Sequence, residues 1–113
     1  MGPYSQGIRA GNFLFVSGQG PIDPSTGKMI EADIGKQTHQ TLKNVKAIVE
    51  ESGLSLDDVV RVSIFLKNAS DFKKMNEIYQ SFFQENLPTR TTVQADFVSP
   101  GMLIEVDAIA CRE

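Results

Sequence analysis

The stretch "MLIEVDAIAC", residues 102 to 111, decides the fold of this chain. Its apolar residues alternate with mixed ones, and alternate side chains of a β-strand point to opposite faces of a sheet. One face is apolar and smooth; it consists of Ile104, Val106, Ala108 and Ala110. The other is mixed; it consists of Leu103, Glu105, Asp107, Ile109 and Cys111. The pattern predicts a strand that has one face covered by helices and a second face that is not a simple core.

Two stretches with helical periodicity can supply that cover. After Asp33, apolar and small polar residues recur three or four positions apart, which predicts a helix over residues of about 34 to 52. Asp33 is the expected N-cap, and Gly53 is expected just past the end. The stretch "SDFKKMNEIYQSFFQE" predicts a second helix with Ser70 as its N-cap. The apolar stripe of this second helix is Phe72, Met75, Ile78, Tyr79 and Phe82.

Other strands are predicted on both sides of these helices. Gly11-Asn12 lies between two apolar runs, which indicates a hairpin whose second strand covers residues 13 to 17. "VVRVSIFLK" and "RTTVQADF" also read as strands, and the first places Val60, Val62, Ile64 and Leu66 on one side. "GPIDPSTGK" holds so many turn-forming residues that we expect a loop without regular structure.

This order of elements predicts an α+β fold, and the length of 113 residues predicts one domain over residues 1–113. Two helices can cover only one face of the sheet. The uncovered face then carries Leu103, Ile109 and Phe65 beside ionisable groups. Because this face is too apolar for comfortable exposure, we interpret it as a subunit interface with polar pockets.

Composition narrows the function classes. The chain is 41% hydrophobic and 22% charged, as expected for a globular protein, and its net charge is −3. This acidic balance disfavours nucleic acid and anionic membranes as partners. A single cysteine, Cys111, and the lack of an apolar run long enough to span a membrane lead us to expect a cytoplasmic protein.

Arg90 and Glu105 are the strongest candidates for chemistry. An arginine is charged at any working pH and presents a planar fork of donors that suits a carboxylate. A glutamate between Ile104 and Val106 should be partly buried, where it must find a partner or raise its pKa. We expect Arg90, together with Thr92, to lie on the uncovered face beside Glu105. For Arg90 the alternative is an exposed or ion-paired arginine at the end of a strand, and for Glu105 it is a structural ion pair.

Metal and cofactor chemistry find little support in the sequence. His39 is the only histidine and has no cysteine or second histidine near it, so we expect no metal site. "SGQG" lacks the third glycine and the following helix of a dinucleotide-binding loop. The sequence therefore indicates no phosphate-binding loop.

The same stretches resemble, nearly end to end, the reactive intermediate (imine/enamine) deaminase family, also called the RidA, Rid or YjgF family. The matching motifs are "GPYSQ" (2–6), "SGQ" with "PIDPSTG" (17–27), "QTHQTLKNVKAIVEESG" (37–53), "DFKKMNEIYQSFF" (71–83), "PTRTTV" (88–93) and "IEVDAIA" (104–110). The resemblance implies a chorismate-mutase-like mixed sheet with two helices on one face. It also implies a barrel-like homotrimer with active sites in the clefts between subunits and no cofactor.

The resemblance further implies the hydrolysis of 2-imino and enamine acids to 2-keto acids and ammonia. Arg90 matches the family's carboxylate-binding arginine, and Glu105 matches the glutamate that positions water. The implied substrate-binding positions are Tyr4, Ser17, Gly18, Asn76 and Thr92.

Two other functions stay open at this point. A regulatory module could use the same cleft to sense keto acids without turnover. Some members of the family carry the label of ribonuclease or translation inhibitor, which the acidic charge balance disfavours.

Overall fold

A computed structural model describes residues 3–113, so Gly2 of the "GPYSQ" motif and the start of the domain expected over 1–113 lie outside the described residues. The two helices are α1 (Ile34–Glu51) and α2 (Phe72–Phe82). The strands are β1 (Gly7–Ala10), β2 (Phe13–Gln19), β3 (Ile22–Asp23), β4 (Lys28–Met29), β5 (Val59–Leu66), β6 (Thr89–Gln94) and β7 (Ile104–Cys111).

Five of these strands form one mixed sheet in the order β1-β2-β7-β5-β6. β5 and β6 are parallel because α2 carries the chain back across the sheet between them, and the other neighbours are antiparallel. The predicted α+β class, with a mixed sheet and two helices on one face, is confirmed. Neither helix of the described chain is long and apolar enough to cross a membrane.

The hairpin and the first helix match the prediction closely. Gly11 has φ 59°, which lets the chain reverse between β1 and β2, and β2 continues to residue 19 instead of ending at 17. The Asp33 carboxylate accepts a hydrogen bond from the Lys36 backbone N–H and caps α1. Gly53, with φ 85°, follows the end of that helix.

Three local predictions were wrong. The loop "GPIDPSTGK" contains a small antiparallel hairpin, β3 with β4, whose turn is stabilised by hydrogen bonds from Ser25 to the Asp23 carboxylate. Ser70 does not cap α2, because a 3₁₀ turn over Ala69–Asp71 precedes the helix and places Asp71 at the cap position. Val60 is 44% exposed, because a bulge between residues 59 and 61 turns Val59 into the core in its place.

The core lies between the helices and the face of β7 predicted to be covered. All four residues of that face are buried, and they pack with the buried side chains of both helices, among them Leu42, Val45, Val49, Met75 and Tyr79. Within the described residues no helix covers the opposite side of the sheet. We call it the open face; it carries Glu105 and Asp107, both half-buried.

Gln37 ties the core to the segment that leads into β7. Its side chain is fully buried in α1; the amide nitrogen donates to the Gly101 carbonyl oxygen at 2.8 Å, and the amide oxygen accepts from the Leu103 N–H at 2.8 Å. Buried backbone groups need such partners. Gln37 thereby fixes the chain two residues before Glu105.

Candidate active site

Glu105 lies on the open face, directly over the backbone of Gly18. A Cβ atom added at Gly18 would be 2.6 Å from Oε2 of Glu105, so only glycine leaves room for the carboxylate in this position. The approach results from a bulge in β2, where Ser17 and Gly18 lie opposite the single residue Asp107 of β7. The glycine is therefore part of the surroundings of the carboxylate.

The Glu105 carboxylate has no hydrogen bond or ion pair to any residue within 3–113. Its burial and, to a smaller extent, the negative charge of Asp107 raise the pKa of Glu105 above its ordinary value of 4.5. The structural ion pair considered for this residue is not found in the described part of the chain. A carboxylate of this kind can accept a proton near neutral pH more readily than an exposed one.

A cavity of about 560 Å³ adjoins this carboxylate. It is lined by Tyr4, Gly18 and Glu105, together with residues from the β3–β4 hairpin, α1 and the loop before β7. Tyr4 is 53% exposed at its rim. We call Tyr4, Gly18 and Glu105 the Glu105 half-site.

Ser17 does not line this cavity. Its hydroxyl donates to the Ser5 carbonyl oxygen, and its backbone N–H donates to the Gln6 carbonyl oxygen at 2.9 Å. The residue thus attaches the segment that bears Tyr4 to β2. Ser17 therefore supports the half-site indirectly, through its hydrogen bonds to the residues that follow Tyr4.

Arg90 does not share the face of Glu105, and this prediction was wrong. In the register of the sheet Arg90 pairs with Val62, which is buried under the helices, whereas Glu105 pairs with Phe65 on the open face. Paired residues of adjacent strands project to the same side. Arg90 and Thr92 therefore lie on the helix side of β6, at the edge of the sheet.

The guanidinium of Arg90 lies against two aromatic rings of α2. Its Cζ atom is 4.8 Å from the ring centroid of Tyr79 and 5.7 Å from that of Phe72, both within the range of a cation–π contact. In residues 3–113 no carboxylate lies within ion-pair distance of Arg90, so the expected alternative of an ion-paired arginine is not found there. The donors of the guanidinium are available for another anion.

The surroundings of Arg90 contain polar atoms without partners in the described residues. They are Thr92 Oγ1, Asn76 Oδ1 and Tyr79 OH, all buried. Asn76 lies on α2 between Phe72 and Tyr79, on the helix face that meets Arg90. A second cavity, of about 330 Å³, is lined by Phe72 and Thr92 among others. We call Asn76, Arg90 and Thr92 the Arg90 half-site.

The two half-sites are too far apart within one protomer to hold one small substrate. β6 and β7 are separated by β5, which sets their backbones about 10 Å apart, and the side chains project to opposite faces. Sequence reasoning also missed Tyr79 and Phe72 as neighbours of Arg90, since their helical spacing is equally typical of core residues. Among the described residues no three histidine, cysteine, aspartate or glutamate side chains group as a metal site.

Comparison with known proteins identifies relatives along the whole chain. A family model described as Endoribonuclease L-PSP matches residues 1–112. A RutC family protein of Pyrococcus horikoshii is 51% identical over 113 residues, which cover 100% of this chain and 90% of that protein. The 2-iminobutanoate/2-iminopropanoate deaminase of Escherichia coli is 42% identical over 115 residues, covering 99% of this chain and 89% of the enzyme.

The fold is shared with solved structures. The crystal structure of E. coli TdcF with bound serine superimposes with a TM-score of 0.93 at 40% identity, covering 100% of this chain and 91% of that one.

Proposed function

The chain belongs to the Endoribonuclease L-PSP family, also called the RidA/YjgF family, and from that premise we propose that it hydrolyses reactive 2-imino and enamine acids. Substrates of this class, such as 2-aminoacrylate and 2-iminobutanoate, would yield 2-keto acids and ammonia. The name of the E. coli relative, 42% identical, supports this reaction. We propose that the activity needs no cofactor and that the protein acts in the cytoplasm.

One observation supports the proposal above the others: Glu105 and Arg90 both lack a partner of opposite charge in the described residues, and both are half-buried. A half-buried charge without a partner costs free energy, so it is seldom kept without a use. A carboxylate with a raised pKa suits a base, and an unpaired guanidinium suits a carboxylate ligand.

The proposed reaction divides binding and attack between the two residues. Arg90 holds the substrate carboxylate through two parallel N–H donors, so that the C=N carbon is presented in one orientation. Glu105 takes a proton from water while the water oxygen bonds to that carbon. The C=N electron pair moves to nitrogen, which takes the proton from the resulting acid and gives a carbinolamine. Glu105 then transfers the proton of the new hydroxyl group to nitrogen as the C=O bond forms, the C–N bond breaks and ammonia leaves. An enamine first gains a proton from water at C3, while its nitrogen gives a proton to the hydroxide left behind, and so becomes the imine.

Both half-sites can act on one molecule if neighbouring protomers meet. We propose a homotrimer in which the Arg90 half-site of one protomer faces the Glu105 half-site of the next. Exposed apolar side chains support the open face as the contact surface: Ile8, Phe13 and Phe15 are 54%, 44% and 46% exposed there.

A mixture of two inactive variants tests this arrangement. Arg90→Ala and Glu105→Gln chains, refolded together in equal amounts, should recover about a quarter of the wild-type activity, because a quarter of the interfaces would then pair two intact half-sites. The hydrolysis rate of the mixture is compared with that of each variant refolded alone. A mixture no more active than its components would rule out sites shared between protomers.

Addition of a single methyl group at Gly18 tests the position of the Glu105 carboxylate. Gly18→Ala should lower kcat about 100-fold, because the new Cβ displaces the carboxylate and a shift of about 1 Å can cost that much. Stability should change little, since the displaced atoms are the end of a flexible side chain. Gly35→Ala, which adds the same group in α1, is the matched control; equal rates for Gly18→Ala and wild type would contradict the assignment.

The reaction itself is tested with 2-aminoacrylate, generated by a serine dehydratase. Pyruvate formation is measured above the spontaneous rate, with a reference deaminase as positive control. Acceleration by the wild type and not by Arg90→Ala is the expected result, whereas a wild type equal to the protein-free rate rejects the proposal. In that case, saturable binding of pyruvate would favour the keto-acid sensor.

A ribonuclease is the other candidate, and the description of the matching family model favours it. The net charge of −3 gives no general attraction for RNA. RNA cleavage by the purified protein that falls steeply with salt and is lost in Arg90→Ala would support this function.

A further inference from the structure

Tyr79 is the closest aromatic neighbour of the Arg90 guanidinium, and the proposed reaction gives it no role. Its ring centroid is 4.8 Å from Cζ of Arg90, against 5.7 Å for Phe72. Tyr79 is only 8% exposed, whereas Phe72 is 45% exposed. A cation–π contact is stronger where solvent is excluded, so Tyr79 is the main contact of the two.

Arg90 has few other restraints. It lies on β6, an edge strand, and no hydrogen bond from its side chain to another residue is found within 3–113. An arginine side chain held only by solvent would sample many rotamers, and ordering it on substrate binding would cost conformational free energy. The aromatic rings of α2 restrict it before substrate arrives.

No acceptor within residues 3–113 occupies the N–H donors of the Arg90 guanidinium. An aromatic ring that packs against the flat face of a guanidinium leaves its N–H groups pointing outward in the plane. A carboxylate partner would instead occupy those N–H groups and compete with the substrate. An aromatic ring is therefore the kind of neighbour that can hold this arginine without blocking its binding edge.

Tyr79 is itself held in place by the core. Its ring stacks on that of Phe83 at a centroid distance of 4.7 Å, and Phe83 is buried. The hydroxyl of Tyr79 is buried without a hydrogen-bond partner in the described residues, and burial raises the pKa of this tyrosine. The neutral ring, and not a phenolate, faces the arginine.

We propose that Tyr79 is a positioning residue, whose ring fixes the Arg90 guanidinium in the orientation that binds the substrate carboxylate. This inference rests on the proposed function, because it assumes that Arg90 binds a carboxylate. The ring and not the hydroxyl carries the effect. Tyr79 acts through Arg90 and does not take part in the proton transfers.

Tyr79→Met and Tyr79→Phe test the inference. Methionine fills a similar apolar volume without a ring, so the fold should be kept. Tyr79→Met should raise KM for 2-aminoacrylate, and the Kd of 2-oxobutanoate measured by titration calorimetry, by about 3- to 30-fold, with kcat within about twofold. Tyr79→Phe, which keeps the ring, should restore both constants.

Phe82→Leu is the matched control. It removes another ring of α2 that packs against the core, but Phe82 pairs with His39 and is neither stacked on Tyr79 nor in contact with Arg90. Its KM and Kd should stay at wild-type values. A Phe82→Leu variant with the same rise in Kd as Tyr79→Met would show a general packing effect and overturn the inference.

A double-mutant cycle excludes the remaining structural explanation. In an Arg90→Ala background Tyr79→Met should not weaken 2-oxobutanoate binding further, because the residue through which it acts is gone. Additive losses, or an unchanged Kd in Tyr79→Met alone, would overturn the inference. Failure of the proposed function is separate: it appears as wild-type protein without turnover, while the binding measurements on the variants still report on Tyr79.

Discussion

Glu105→Gln is expected to lower kcat for 2-aminoacrylate hydrolysis by about 10²- to 10⁴-fold, the usual contribution of a general base. Glutamine keeps the shape of the side chain over Gly18 but cannot accept a proton. Binding of a 2-keto acid should change far less than the rate, because Arg90 still holds its carboxylate. Pyruvate release and the Kd of 2-oxobutanoate, measured on the same preparation, separate the two effects.

The same variant is expected to be more stable than the wild type at neutral pH. The folded-state pKa of Glu105 is raised, so the wild type loses stability as the pH rises through that pKa and the carboxyl group ionises. Glutamine is neutral throughout. The difference in melting temperature should therefore be present at pH 7 and shrink towards acidic pH, where Glu105 is protonated.

Two results would contradict the role of Glu105. One is a Glu105→Gln variant with wild-type turnover. The other is a loss of rate matched by an equal loss of keto-acid binding, which would make Glu105 a binding residue. Asp107→Asn is an informative comparison, because it changes a neighbouring acid on the same face and should lower kcat by less than about tenfold.

Arg90→Ala is expected to lower kcat/KM by about 10²- to 10³-fold. Removal of one partner of a partly desolvated, hydrogen-bonded charge pair costs about 2 to 5 kcal/mol, and each 1.4 kcal/mol is a factor of ten. The loss should appear mainly in KM and in the Kd of 2-oxobutanoate. Arg90→Lys keeps the charge but loses the bidentate fork, so its loss should be intermediate.

Arg9→Lys is the matched control for the arginine series. Arg9 lies on β1, at the opposite edge of the sheet from β6, and donates to the Ser52 carbonyl oxygen. Both kinetic constants of this variant should equal those of the wild type. An Arg90→Ala variant with an unchanged Kd for 2-oxobutanoate would show that Arg90 is not part of the binding site.

The sequence predicted those parts of the fold that depend on local patterns. The two faces of β7, the extent of α1 and its Asp33 cap follow from periodicity and capping chemistry within a few residues. The bulge in β5 could not be predicted in this way. It depends on pairing with β7 and moves Val60 out of the core without a change in composition.

The position of Arg90 shows the same limit at the site. The sequence correctly separates β6 into two sets of side chains, with Arg90 and Thr92 in one of them. Which set faces the helices depends on the parallel register with β5, and a shift of one residue reverses the answer. Val93 is apolar, yet it is 43% exposed on the open face, so the polarity of β6 residues does not indicate which set is covered.

The contact between Gly18 and Glu105 could not be predicted from the sequence either. The sequence indicates Gly18 and Glu105 as separate candidates, but they meet only because of the bulge between β2 and β7. Tyr79 was assigned to the core, which is correct, and its second contact depends on the path of α2 over the sheet edge. The sequence thus indicates candidate site residues by type, whereas the neighbours of each depend on the folded chain.

Arg90 and Glu105 lie on opposite sides of one sheet, so in the proposed trimer turnover requires two neighbouring protomers. A single chain would carry two incomplete halves, so the number of working centres would follow the number of closed rings and not the amount of polypeptide. The hydrolysis rate per chain would then fall on dilution, because the trimer dissociates. A cell would have the activity only above a threshold concentration of the protein.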